Sequence, residues 1–342
     1  MPRHNGNFGP NRGILPRESP TEVQLGTACM FFFFSQMAES PDYTQQHSEY
    51  TRPEGIQVGE LLCSNLASTT SGQSSSASSI TLVTQLSWDR RSQLVKTVSS
   101  WKLGRCVAAV WLPRDCAAEA RLLHERLEVL AAGEDSCAVD LVLVWASSQH
   151  PRYPINALRN MALAHASTDL VLLSDVDQQP SRNTSLHLHS GDMLALLWRW
   201  CCQERELLVI PAFHMHPETE EIPETAFTKP GLLRLLLPKR EPQHVIASGG
   251  SQGSGGEAEG DLSVKPRMVS FQSSHYPKGH GPTQAATRWA ACENHEGYKV
   301  EYEEGYEPYV IACRWLVAAY DERYSGYGRN KVTQSLANLV MK

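Results

Sequence analysis

The feature that most constrains the fold of this chain is a set of short runs that are apolar almost throughout, separated by segments of helical composition. Ile80-Thr81-Leu82-Val83-Thr84-Gln85-Leu86, Cys106 to Leu112, Val139 to Trp145, Leu170 to Leu173 and Leu207 to Phe213 are such runs. A strand with one face in water alternates apolar and polar residues, whereas a strand covered on both faces reads as continuously apolar. Between the runs, 89–101, 156–166 and 194–205 have helical composition. A further helix is expected after Asp115 as N-cap, with Leu122, Leu123, Leu127 and Leu130 on its apolar side. Strand alternating with helix predicts an α/β fold, a mostly parallel central sheet with helices on both faces. Tyr298–Tyr302 and Tyr309–Ala312 read as later strands, and Lys331–Met341 favours helix.

The apolar pattern starts at Ile80. Residues 1–79 hold Pro, Gly, Ser and Gln with little periodicity, and 64–79 is Ser/Thr-rich, so they are expected to form a disordered, low-complexity tail. The ordered domain is then 80–342, interrupted by a flexible Gly/Ser insertion at about 248–260. No strand precedes those glycines and no Lys-Ser or Lys-Thr follows them, which excludes a P-loop. At 342 residues with 41% hydrophobic content the chain has enough apolar residues for a large core. A net charge of −6 argues against a nucleic-acid partner, which selects a basic face. The nine cysteines contain no Cys-x-x-Cys pair, and Cys106, Cys137 and Cys313 sit in apolar runs as small buried hydrophobes. The apolar run 28–34 is far short of the ~20 residues a membrane span needs, so no membrane anchor is seen.

Asp175 and Asp177 are the sharpest chemical feature. Two carboxylates flanking one residue at the end of a buried strand sit where open α/β sheets bind ligands. Their hard oxygens suit Mn²⁺ or Mg²⁺, and such an ion would bridge the diphosphate of a nucleotide-sugar. The competing reading is a solvated loop pair or a helix cap. Arg159, on the preceding helix, offers a guanidinium that can fork onto phosphate or carboxylate oxygens; otherwise it is a surface or Asp-paired arginine. Glu301, Glu303, Glu304 and Glu307 form an acidic run with Tyr302, Tyr306 and Tyr309. One carboxylate there is a candidate general base, the others a solvated face. Asp321 is a second candidate base, unless it serves as partner to Arg323.

Several segments in order resemble glycosyltransferase family 49. They are Tyr153-Pro154-Ile155-Asn156-Ala157-Leu158-Arg159-Asn160, Leu172-Leu173-Ser174-Asp175-Val176-Asp177, Ile210-Pro211-Ala212-Phe213, Lys278-Gly279-His280-Gly281-Pro282-Thr283, Tyr298-Lys299-Val300-Glu301-Tyr302, Glu307-Pro308-Tyr309-Val310, and Tyr320 to Val332. The resemblance spans about 80–342. It implies a GT-A type fold, a UDP-sugar donor with UDP-glucuronic acid in first place, a glycan acceptor, Mn²⁺ (or Mg²⁺), inversion at the anomeric carbon, and a Golgi membrane or lumen address. By position it places the metal on Asp175 and Asp177, and the donor near Asn156, Arg159, Asn160 and Asp175. It places His280 and Asn330 on the acceptor side, with Glu307 and Asp321 as catalytic carboxylates, Glu307 favoured as base. Arg159 or Lys278 would meet the glucuronate carboxylate.

The sequence departs from the family pattern in four ways. Arg329 stands where the family has Trp. The 248–260 stretch is an insertion. The amino-terminal anchor is missing. The family also continues beyond the equivalent of Lys342 into a segment with a metal-binding His, so a truncated carboxy-terminal part is expected. The alternative function is therefore a catalytically weakened or inactive glycan- or nucleotide-binding relative.

Overall fold

The computed structural model of the chain describes residues 32–34, 56–64, 79–132, 137–146, 152–215, 229–236, 268–270, 277–283, 285–291, 298–326 and 331. Within them the strands are β1 (Phe32–Phe34), β2 (Gln57–Leu62), β3 (Ile80–Ser87), β4 (Arg105–Leu112), β5 (Ala138–Trp145), β6 (Leu170–Leu173), β7 (Leu207–Ile210), β8 (Phe213–Met215), β9 (Met268–Ser270), β10 (Tyr298–Lys299) and β11 (Tyr309–Cys313). The helices are α1 (Arg91–Ser100), α2 (Ala117–Ala131), α3 (Ile155–His165), α4 (Arg182–Leu188), α5 (Gly191–Trp198), α6 (Lys229–Leu236) and α7 (Pro277–His280).

Among the described residues one sheet has the order β10-β1-β7-β11-β6-β3-β4-β5-β2. Its four central strands, β6, β3, β4 and β5, are parallel, with Leu82 opposite both Cys106 and Leu172. These are the continuously apolar runs of the sequence. The flanks are mixed: β11 runs antiparallel to β6 and β7, and β2 antiparallel to β5.

Side chains alternate across a strand, and that alternation divides the core. Ile80, Leu82 and Leu86 face α1, α2 and α5, meeting Leu94, Val98, Leu127 and Leu197. Val83, Val107, Val142 and Val171 face α3, meeting Ala157, Leu158, Met161 and Ala162. Full burial of each large aliphatic side chain contributes about 1.5–3 kcal/mol, so the two layers hold the sheet from both sides. Cys106, Cys137, Cys201 and Cys313 are buried free thiols inside these layers.

The structure corrects several local expectations. Phe32–Phe34 and Gln57–Leu62, inside the stretch expected to be a tail, are sheet strands. β2 lacks an apolar run because it is an edge strand, half exposed; backbone pairing to β5 and the Arg121–Glu60 ion pair at 2.7 Å fix it. In α2 the buried stripe is Ala120, His124, Leu127 and Ala131, while Leu122 and Leu130 are 64% and 41% exposed. That stripe follows the helical period, and the His124 ring bonds the Val139 carbonyl at 2.8 Å. Asp115 does not cap the helix: it lies in a preceding 3-10 turn, and Cys116 is the N-cap. The expected strand 207–213 is two strands, because Pro211 offers no N–H to a ladder; β8 pairs instead with β9. The strand expected from Tyr298 ends at Lys299. The 248–260 insertion lies outside the described residues, as does the expected 331–341 helix beyond Lys331.

Candidate active site

The Asp-Val-Asp segment is fixed by its middle residue. Val176 is 2% exposed and packs in the α1 layer, with Thr97 Oγ1 donating to its carbonyl at 3.1 Å. Ser174 N–H donates to the Val83 carbonyl at 3.2 Å, and Gln178 N–H closes a turn onto the Asp175 carbonyl at 3.0 Å. Asp175 thus leaves the carboxyl end of β6 on the α3 side of the sheet.

Its two oxygens are held separately. Oδ1 accepts from Arg159 Nη2 at 2.8 Å and Gln85 Nε2 at 3.4 Å. Oδ2 lies 2.6 Å from Lys331 Nζ and 3.5 Å from the Tyr309 hydroxyl. Burial pushes this carboxyl up, but Lys331 and Arg159 together outweigh it and hold Asp175 well below the usual carboxylate range. Each neighbour comes from a different element. Gln85 lies near the carboxyl end of β3, Tyr309 opens β11, and Arg159 stands on α3. Because β11 is antiparallel to β6, its first residue lies at the end where β6 finishes. Tyr153 donates its hydroxyl to Gln85 Oε1, and His280 stacks on Tyr309 with ring centres 5.3 Å apart.

Arg159 is locked. Besides Asp175 it donates to Asn156 Oδ1 at 3.1 Å and lies 5.1 Å over the Tyr320 ring, and its side chain is 7% exposed. Asp177, by contrast, is half exposed, 3.6 Å from Arg90. Asp175, Asp177 and Glu307 all lie near enough to Tyr309 to add to the effect of burial and push its phenol up.

Glu307 is the half-buried member of the acidic run; Glu301, Glu303 and Glu304 are exposed. Gly305, with φ +92°, permits the turn in which Tyr306 N–H bonds the Glu303 carbonyl at 3.0 Å. Tyr306 then enters the core and Glu307 N–H reaches the Gly279 carbonyl at 2.8 Å. Burial pushes the Glu307 carboxyl up, opposed by Lys331 and Arg159 and assisted by Asp175. A carboxylate so raised is a better proton acceptor than one free in water.

The other sequence candidates are placed differently. Asn160 exchanges hydrogen bonds with the Tyr320 backbone and donates to Glu322 Oε1 at 2.7 Å. Asn156 Nδ2 donates to the Asp321 carbonyl at 2.8 Å. Both amides are engaged in holding the 320–322 segment. Asp321 is bound by its neighbour, taking the Arg323 backbone N–H at 3.0 Å and both sides of its guanidinium, which lowers its carboxyl first of all. Arg323 is thus the partner of Asp321 in this structure. Asn330 lies outside the described residues. Gln85 and Lys331 were given no role beforehand; Tyr153 and Tyr309 were named only as members of motifs and of the acidic run. The signal for Gln85 was present: a long polar side chain near the carboxyl end of a strand buried on both faces.

The fold and the cluster together define an α/β protein whose polar site lies at the carboxyl ends of its parallel strands. Comparison with known proteins gives the family. The model for "Glycosyl-transferase for dystroglycan" matches residues 144–242 and 261–341, more than half of the chain, and the chain belongs to that glycosyltransferase family. Among curated relatives, the xylosyl- and glucuronyltransferase LARGE2 of Rattus norvegicus is 33% identical over 254 residues, 74% of this chain and 31% of that protein. LARGE1 of Homo sapiens is 28% identical over 253 residues, 74% of this chain and 28% of that protein. The glycosyltransferase-like protein gnt14 of Dictyostelium discoideum is 31% identical over 183 residues, 54% of this chain and 23% of that protein. The chain therefore spans less than a third of the length of these relatives. A crystal structure of S. aureus TarS aligns with 35% of this chain and 32% of its own at 13% identity and TM-score 0.24, which is too low to carry an argument.

Proposed function

We propose that the chain is an inverting glycosyltransferase that moves a sugar, glucuronic acid first among candidates, from a UDP-sugar to a glycan hydroxyl. The observation that carries this reading is Asp175 held between Arg159 and Lys331 at the carboxyl end of β6, 3.5 Å from the hydroxyl of Tyr309, with the half-buried Glu307 two residues before that tyrosine. Glu307 takes the proton of the attacking hydroxyl. His280, stacked on the buried Tyr309, offers its outer ring face as one on which a sugar can lie. Arg159 keeps Asp175 ionised and in place.

Asp175 and Asp177 supply the hard oxygens that Mn²⁺ or Mg²⁺ selects. Among the described residues no group of three or more His, Cys, Asp or Glu gathers to hold a metal. Phosphate and water would therefore complete the coordination. When bound, such an ion supplies Lewis-acid charge to the leaving diphosphate. A Golgi address follows from the same reading; among the described residues no helix is long and apolar enough to cross a membrane.

The reading is tested with UDP-glucuronic acid, UDP-xylose and UDP-N-acetylglucosamine, Mn²⁺ and xylose- or galactose-terminated acceptors. Transfer above that of D175N supports it. No transfer with any donor, under conditions where the protein is folded, overturns it. One observation favours a second reading: both oxygens of Asp175 are already neutralised by the chain's own cations, as a nucleotide-binding relative with little transfer would have. UDP binding without transfer in the same screen is its signature.

A further inference from the structure

Two cations hold Asp175, and they are not alike. Arg159 is fixed on three sides, by Asp175, Asn156 and Tyr320. Lys331 carries a compact ammonium on a flexible four-carbon stem. It stands 2.6 Å from Oδ2 and 4.3 Å over the Tyr309 ring, with its side chain 13% exposed. If either cation leaves Asp175, it is Lys331.

Oδ2 is also the oxygen a divalent ion needs, because Oδ1 is committed to Arg159 and faces Gln85. We infer that Lys331 and a divalent cation are alternative occupants of Asp175 Oδ2, and that the displaced Lys331 binds the diphosphate of the donor. The inference rests on the nucleotide-sugar reading of the site. Phosphate oxygens are the natural new partner for the freed ammonium, since charge-assisted bonds to phosphate are among the strongest a lysine makes. Metal alone must then expel an ion-paired ammonium and binds weakly. Metal and diphosphate together give the ammonium a new partner, so the two ligands bind cooperatively, each strengthening the other by the same factor.

The test uses the full chain and four proteins: wild type, K331M, K331Q and K331R. Free Mn²⁺ is measured by electron paramagnetic resonance with and without UDP. UDP binding is measured by calorimetry in saturating Mn²⁺ and in chelator, and circular dichroism melts establish folding. K331M and K331Q are expected to bind Mn²⁺ alone about tenfold more tightly, and UDP in Mn²⁺ about tenfold more weakly, the scale of one charge-assisted hydrogen bond. K331R keeps the cation and is expected to bind Mn²⁺ alone as weakly as wild type. Folded K331M or K331Q with unchanged or weaker Mn²⁺ binding, or unchanged UDP binding, overturns the inference and leaves the nucleotide-sugar reading intact. If wild type binds neither Mn²⁺ nor UDP, that reading itself falls and the inference with it. Should K331M and K331Q not fold, K331R decides: tenfold tighter Mn²⁺ binding in that variant overturns the inference.

Discussion

Asn160 and Tyr320 exchange two hydrogen bonds. The Asn160 amide donates to the Tyr320 carbonyl at 2.9 Å, and the Tyr320 N–H returns one to Asn160 Oδ1 at 2.8 Å. A side chain on α3 thus takes the place of a strand partner for backbone 160 residues further along the chain. It also holds the Tyr320 ring over which Arg159 lies.

N160A removes both bonds to the Tyr320 backbone and the one to Glu322. The expected loss is about 2–3 kcal/mol, read as a lower urea midpoint at unchanged slope. Because the ring under Arg159 is freed, UDP affinity falls as well.

D175N leaves Arg159 and Lys331 facing each other without the charge that separates them. Losing one partner of a buried ion pair costs about 3 kcal/mol, which a thermal melt will register. The effect has a defined pH sense. Asp175 is held below its ordinary value, so its contribution is complete above about pH 4, the unfolded value, and disappears as pH falls through the folded value. The stability gap between wild type and D175N therefore closes on acidification below about pH 4.

E307Q removes the proposed base. Turnover is expected to fall about 10²- to 10⁴-fold while UDP affinity changes little. The raised Glu307 carboxyl moves the acid limb of kcat/KM upward from where a free glutamate would put it, since the base acts only when ionised. D321N is expected to leave that limb in place, because Asp321 is tied to Arg323. A limb that moves in D321N and not in other Glu307 variants assigns the base to Asp321.

G305A puts a side chain at φ +92°. A non-glycine residue in the left-handed region costs about 1–2 kcal/mol, so the melting temperature drops. The turn also sets Glu307, so activity is expected to fall by more than the lost stability explains.

Much of this was legible in the residues. Apolar runs marked the four central strands because burial on both faces leaves no room for alternation. Asp175 stood out because a carboxylate pair ends one of those strands, whereas Glu307 was singled out from its acidic run only by the family resemblance. Leu122 and Leu130 were misjudged in α2 because hydrophobicity alone does not say which side of a helix meets the sheet. β2 was missed because an edge strand draws its stability from backbone pairing, which leaves no mark in composition.

By itself the sequence determined the layered α/β architecture and the position of the carboxylates along it, since both follow from local periodicity and from where apolar runs stop. The tertiary structure alone decided what surrounds Asp175. Gln85 and Tyr309 approach it from 90 and 134 residues away, and Lys331 from beyond Tyr309. The charge state of a carboxylate depends on which groups share its few ångströms of low-dielectric space. Chain folding, not chain order, sets that list.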